Sequence, residues 1–132
     1  MLSFQTGGGG LTDITGDVAH WLESTGLREG VLTLLCRHTS ASLLIQENAA
    51  PAVQRDLLRW LDHLAPQGTQ YEHDDEGPDD MPAHLRATLT GVNLSIPVLS
   101  SRMTLGTWQG IYLAEHRSRP HRRTVALAIV GE

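Results

Sequence analysis

The chain has 132 residues with 40% hydrophobic content, enough to build one core and too much for global disorder. It carries ten arginines, no lysine, fifteen acidic residues and seven histidines, for a formal net charge of −5. That balance excludes the broad basic field of a general nucleic-acid binder, lysine Schiff-base chemistry and a P-loop phosphate lysine. No apolar run approaches the ~20 residues that span a bilayer, so no membrane partner is expected. Met1 to Thr6 has no basic start and no apolar stretch, so a secretory signal is not expected. One cysteine, Cys36, cannot form an internal disulfide, and a cytoplasmic setting is the expectation.

In chain order, Ser3 to Thr6 is predicted as a short edge strand and Gly7 to Gly10 as a flexible break. Leu11 to Thr15 starts either a strand or a helix. Asp17 to Leu27 is predicted helical, with Val18, Trp21 and Leu22 on one face and Gly26 and Gly30 flanking its end. Val31 to Arg37 is short and continuously apolar, like a buried strand, and Ser42 to Gln46 is a second extended piece. Asn48 resembles an N-cap and Pro51 sits in the first turn of a helix from about Ala49 to Leu64. Its apolar stripe is Val53, Leu57, Leu61 and Leu64.

Pro66 to Asp80 is a long polar loop, a length that points to function or disorder. Met81 to Leu89 is predicted as a short helix capped by Asp79 or Asp80 and ended by Gly91. Val92 to Val98 alternates like a strand, and Pro97 within it implies an edge or a bulge. Trp108 to Glu115 is a further strand. Thr124 to Val130 is the last, apolar on both faces and expected to be central. The order β–α–β–β–α–loop–α–β–β–β predicts an α+β fold over residues 1–132, with a mainly antiparallel sheet or sandwich and two or three helices.

The charge is unevenly placed. Glu72 to Asp80 holds six of the fifteen acids, and the remainder is close to neutral. His116 to Arg123 holds four of the ten arginines. Within this pattern four histidines stand beside chemically useful neighbours. His38 precedes Thr39 and Ser40, His73 lies in the acidic loop, His84 lies on the helix after it, and His116 follows Glu115. Neutral imidazole is a common metal ligand, and acidic neighbours orient such rings through the other N–H. His20, His63 and His121 read as ordinary surface residues. The spacing of the other four matches no short metal motif, and a surface role for each is the competing reading. Leu105 to Gly110 flanks Trp108 and Gln109 with glycines, which suits either close approach by a ligand or a tight hairpin. Arg102, Arg117, Arg119, Arg122 and Arg123 are candidate phosphate binders through charge-assisted hydrogen bonds, with surface solubility the competing reading for most.

The segments His38-Thr39-Ser40-Ala41-Ser42-Leu43, Asp79-Asp80-Met81-Pro82-Ala83-His84 and Leu105-Gly106-Thr107-Trp108-Gln109-Gly110 occur in this order, with Glu47-Asn48, Tyr71-Glu72-His73-Asp74, Glu76-Gly77, Glu115-His116-Arg117 and Gly131-Glu132. In these stretches the chain resembles the YjbQ-like family of small bacterial and archaeal proteins, often labelled secondary thiamine-phosphate synthases. The resemblance implies a YjbQ-like α+β fold, a homotrimer, and a metal-associated site. Its implied ligands are His73, His84 and His116, with His38 a nearby fourth candidate. The implied cofactor is a divalent metal ion, zinc first and magnesium as the alternative. Two departures stand out. The family's usual Glu-Asn-x-Asp-Pro is Glu47-Asn48-Ala49-Ala50-Pro51 here, without its aspartate, and the glycine common before Leu-Gly-Thr-Trp-Gln is replaced within Ser100-Ser101-Arg102.

The expectation from residues and resemblance together is a metal-dependent enzyme acting on a small phosphorylated metabolite, with thiamine-phosphate synthase as a secondary activity. His38 would handle a proton, with Asp80 or Glu76 orienting a ligand histidine. Arg117, Thr39, Ser40, Trp108 and Gln109 would bind substrate. The alternatives are a non-enzymatic trimeric binding protein for a phosphorylated metabolite and a metal-dependent phosphoester hydrolase.

Overall fold

In a computed structural model, residues 1–68 and 70–132 are described. Thr69, inside the long polar loop, lies outside them. The elements are β1 (Leu2–Gln5), β2 (Gly10–Asp13), α1 (Thr15–Thr25), β3 (Gly30–Cys36), β4 (Ala41–Glu47), α2 (Pro51–Leu64), α3 (Asp80–Thr90), β5 (Asn93–Leu99), β6 (Arg102–Met103), β7 (Gln109–Glu115) and β8 (Arg122–Gly131). The strands form a five-stranded sheet in the order β1-β8-β3-β5-β6 and a three-stranded sheet in the order β2-β7-β4. Every pairing is antiparallel. This is the expected α+β architecture with three helices. No helix among the described residues is long and apolar enough to cross a membrane.

Alternation along the strands builds the core. Leu32, Leu34 and Cys36 of β3 point inward beside Ile96 and Val98 of β5 and Val125 of β8. They meet Leu43 of β4 and Ile111 and Leu113 of β7, and Ile14, Val18 and Leu22 close the interior around α1. Burying each leucine or isoleucine is worth about 1.5–3 kcal/mol relative to exposure. The opposite pleat of β3 places Val31 and Leu35 outside, and Val130 beside Val31 is 81% exposed.

Several elements depart from expectation for local physical reasons. Leu11 to Thr15 resolves into the end of β2 and the start of α1. Asp13 accepts hydrogen bonds from the Thr15 backbone N–H (2.9 Å) and hydroxyl (2.6 Å), turning the chain from strand to helix. Asn48 does not cap α2; its N–H bonds the Trp108 carbonyl, Ala50 stands at the cap without a side-chain bond, and the helix starts at Pro51. β8 is interior but β3 is the middle strand, and exposed Val130 shows that β8 is not buried on both faces. β6 was not expected. It pairs with β5 through a turn in which Ser100 and Ser101 hold φ of 50° and 65°, a conformation whose usual Asn-Gly signature is absent. Because β6 reaches only Val98 and Leu99, Pro97 lies outside its ladder and its missing N–H disrupts nothing there.

Candidate functional site

The acidic loop folds back onto the start of α3. Asp80 opens that helix, where negative charge is favourable, and His84 lies one turn on along the same face. One oxygen of Asp80, Oδ2, stands 2.8 Å from His73 Nε2 and 3.1 Å from His84 Nε2. Glu76 Oε2 lies 3.4 Å from His73 Nε2. His73, Glu76, Asp80 and His84 each offer one ligand atom, all within 4.8 Å of one another.

The outer bonds of the two rings decide their chemistry. His84 Nδ1 is 3.0 Å from the Thr39 carbonyl, which can only accept, so Nδ1 carries the proton. A neutral His84 ring therefore turns a lone pair toward the Asp80 carboxylate. His73 Nδ1 lies 3.3 Å from the exposed carboxylate of Asp75, an ion-pair distance that leaves its tautomer open. Lone pairs aimed at carboxylate oxygens repel unless a proton or a cation stands between them. Without a cation the proton is favoured: the bond to Asp80 leads the causes that raise the His73 pKa above its ordinary value. Two imidazoles and two converging carboxylates are donor types that could hold a divalent metal ion.

Asp80 is held from behind. Arg117 gives Nη1 to Asp80 Oδ1 (2.9 Å), Nε to Asp79 Oδ2 (3.0 Å) and Nη2 to the Glu76 carbonyl (2.9 Å). Asp79 also accepts the Ser118 N–H and hydroxyl. Burial raises the pKa of both aspartates. The bonds to Arg117 and Ser118 outweigh it at Asp79, and the bonds to His73 and Glu76 followed by the charges of His84 and Arg117 outweigh it at Asp80. Both are ionised at neutral pH.

Thus the structure brings together His73, His84, Asp80 and Glu76, four of the residues singled out by sequence. It does not bring His116. That ring is 5% exposed and bonds the Ser42 hydroxyl (2.8 Å), and the converging group is two histidines and two carboxylates rather than the expected three histidines. Arg117 is not a free phosphate binder, because carboxylates and a carbonyl take its donors. His38 lines a groove with Thr39 and His84, yet its Nε2 accepts the Thr124 backbone N–H (2.8 Å), which takes up the nitrogen a proton carrier needs. Ser40 is buried, and its hydroxyl and carbonyl accept from Arg123. Thr39 contributes its carbonyl. Trp108 and Gln109 stand at the opposite end of β7 from Arg117, about 20 Å along a seven-residue strand. Gln109 Oε1 braces the Gly106 N–H (2.7 Å) and Trp108 is 63% exposed.

Sequence reasoning missed the Asp79–Arg117 clamp, whose partners lie 38 residues apart and leave no local trace. It also left unused a readable signal, the i, i+4 spacing of Asp80 and His84 on a predicted helix.

An α+β sandwich whose acidic loop closes two histidines and two carboxylates against one helix start is the class of protein defined so far. Its family is also clear: a sequence description of the UPF0047 protein YjbQ-like family matches residues 1–132, and the chain belongs to that family. It is 44% identical to the UPF0047 protein of Synechocystis, covering 100% of this chain and 90% of that one. It is 47% identical to YjbQ of Salmonella typhimurium over 78% of this chain and 75% of the relative. Among solved structures, an uncharacterized YjbQ/UPF0047 protein of Clostridium acetobutylicum superposes with a TM-score of 0.86 at 33% identity, covering 98% of this chain and 100% of that one. A protein of Aeropyrum pernix superposes with a TM-score of 0.88 at 31% identity, covering 99% and 98%.

Proposed function

We propose that this protein is a metal-dependent enzyme whose divalent cation is held by His73, Glu76, Asp80 and His84. The observation that carries the reading is the convergence of four ligand atoms within 4.8 Å of one another, with the Thr39 carbonyl holding His84 Nδ1 so that Nε2 faces Asp80 beside His73 Nε2. This ligand set of two imidazoles and two carboxylates suits zinc first, and the carboxylates also admit magnesium. A cation there would supply Lewis-acid polarisation of a phosphate oxygen and a lowered pKa for water. The chain's own groups do the rest. Arg117 and Asp79 hold Asp80 in place, and the Thr39 carbonyl fixes the His84 ring.

Grooves open on both sides of the cluster. Tyr71, Glu72 and Met81 line one beside His73, and His38, Thr39 and Thr88 line the other beside His84. Neither offers a free arginine, so a phosphorylated substrate would be recognised at the cation itself. The family label of thiamine-phosphate synthase is carried as a secondary activity and a cytoplasmic setting as the working location, in keeping with a single buried free cysteine.

The test is metal binding followed by turnover. Asp80→Asn should weaken zinc affinity at least a hundredfold, read by titration calorimetry, and abolish any thiamine-phosphate formation that the metal-loaded wild type shows. Wild-type affinity in that variant would overturn the ligand assignment.

We also propose that copies of this chain associate as a trimer. The outer face of the five-stranded sheet supports this reading: Val31, Leu35 and Val130 are exposed there, and Thr33, Ala126 and Ala128 lie on the same pleat without a charge. Light scattering should give about three times the 14.4 kDa chain mass, and Val130→Asp should lower it. A monomeric wild type would refute the assembly.

A further inference from the structure

A second polar cavity, of about 170 Å³, shares no residue with the histidine–carboxylate cluster. Leu58 and Leu61 of α2 form an apolar wall, and Asp62, Arg86, Glu115 and His116 supply the polar groups. A chain of bonds sets the His116 tautomer. The Thr90 hydroxyl donates to the Arg86 carbonyl (2.9 Å), which can only accept. Its proton spent, Thr90 accepts from the Ser42 hydroxyl (2.6 Å), and Ser42 in turn accepts from His116 Nε2–H (2.8 Å). The lone pair of the ring therefore sits on Nδ1, which none of its hydrogen bonds uses. Burial, followed by the charge of Arg86, lowers the His116 pKa to about 4, so the ring is neutral at ordinary pH.

Arg86 supplies the complementary group. Its Nη2 donates to the Ala65 carbonyl (2.9 Å) and lies 2.9 Å from Asp62, while its Nε is buried without a partner among the described residues. Charge is already balanced: Asp62 offsets Arg86, and Arg123 offsets Glu115. An anion finds no uncompensated positive charge here, and an ammonium ion meets the guanidinium. Beyond these pairs the lining offers His116 Nδ1 as a neutral acceptor, guanidinium donors, two leucines and the backbone of Gly9 and Gly10.

We propose that this cavity binds a small neutral molecule of the amide type. Its N–H would bond His116 Nδ1 and its carbonyl oxygen would take Arg86 Nη1, which no hydrogen bond among the described residues uses; the buried Nε is out of reach. The volume is several times the ~30 Å³ of a liquid water molecule, room for such a group. The proposal is independent of the metal reading.

The probe is 2-pyrrolidinone, added to the full chain while the imidazole ¹⁵N resonances are followed. The expected result is a saturable shift at His116 Nδ1 with His73 and His84 unmoved. Cyclopentanone, the same ring shape without the N–H, should bind about tenfold more weakly, the factor carried by one lost hydrogen bond. His116→Phe should abolish pyrrolidinone binding, and where that variant fails to fold the two-probe comparison on the wild type decides. Equal affinity for the two probes, displacement of pyrrolidinone by inorganic phosphate, or wild-type binding by a folded His116→Phe chain would each overturn the proposal.

Discussion

Two regions of this molecule use histidine, carboxylate and arginine to opposite ends. At the start of α3, His73, Glu76, Asp80 and His84 converge on one another, and the His73 side chain is 43% exposed. At the end of β7, Glu115 and Arg123 satisfy each other directly, with Thr6 donating to Glu115 and Ser40 accepting from Arg123. These two ionised side chains are 1% and 5% exposed. Beside them His116 sits neutral and buried. Residue type does not separate a candidate metal site from a structural network. The difference lies in whether each acceptor faces a donor or another acceptor, and in whether water can reach it.

The largest expected effect is in the closed network. Glu115→Gln removes the charge that balances buried Arg123 and should destabilise the fold by about 3–5 kcal/mol, read by urea unfolding. A loss below about 1 kcal/mol would mean that the two regions differ less than their burial implies. Next comes the pH dependence of His116. Its folded pKa is about 4 against an ordinary 6.5, so between those values the unfolded chain binds a proton that the folded chain does not. Stability should therefore fall as pH drops from 6.5 to 4, by about 3 kcal/mol from this residue. His116→Gln keeps a donor for Ser42 and should flatten that part of the curve; unchanged steepness would show that the ring titrates elsewhere.

The smallest effect probes the open cluster from behind. Arg117→Met frees Asp80 from its clamp and should weaken zinc binding about tenfold, the scale of a lost ligand-orienting contact. Because Arg117 is partly solvated, this change should disturb stability less than Glu115→Gln does. An unchanged zinc affinity would leave Arg117 as a fold contact only.

Much of the fold was readable. Period-two alternation in β5 and continuous apolar runs in β3 and β8 marked strands, and the stripe on α2 marked a helix, because each pattern is local. β6 was not readable, since its turn places two serines at positive φ without the glycine that announces such turns. For the candidate site, the concentration of acids from Glu72 to Asp80 pointed to the loop that folds against the start of α3. His73 and His84 were singled out there, with Asp80 and Glu76 beside them. That His116 stands apart from this cluster was invisible, because it depends on the fold setting His116 against Ser42, itself bonded to Thr90.

The sequence by itself determined the absence of lysine chemistry, the α+β class and the family, and it marked where acids and histidines gather. These follow from composition, period and motif, which adjacent residues carry. Tertiary structure alone decided the state of each group. Arg117 became a clamp and Arg123 a buried counter-ion, while His84 became a ring with its proton fixed on Nδ1. Those outcomes rest on partners 37, 8 and 45 residues away, and hydrogen-bond direction exists only once the chain has brought such partners within about 3 Å.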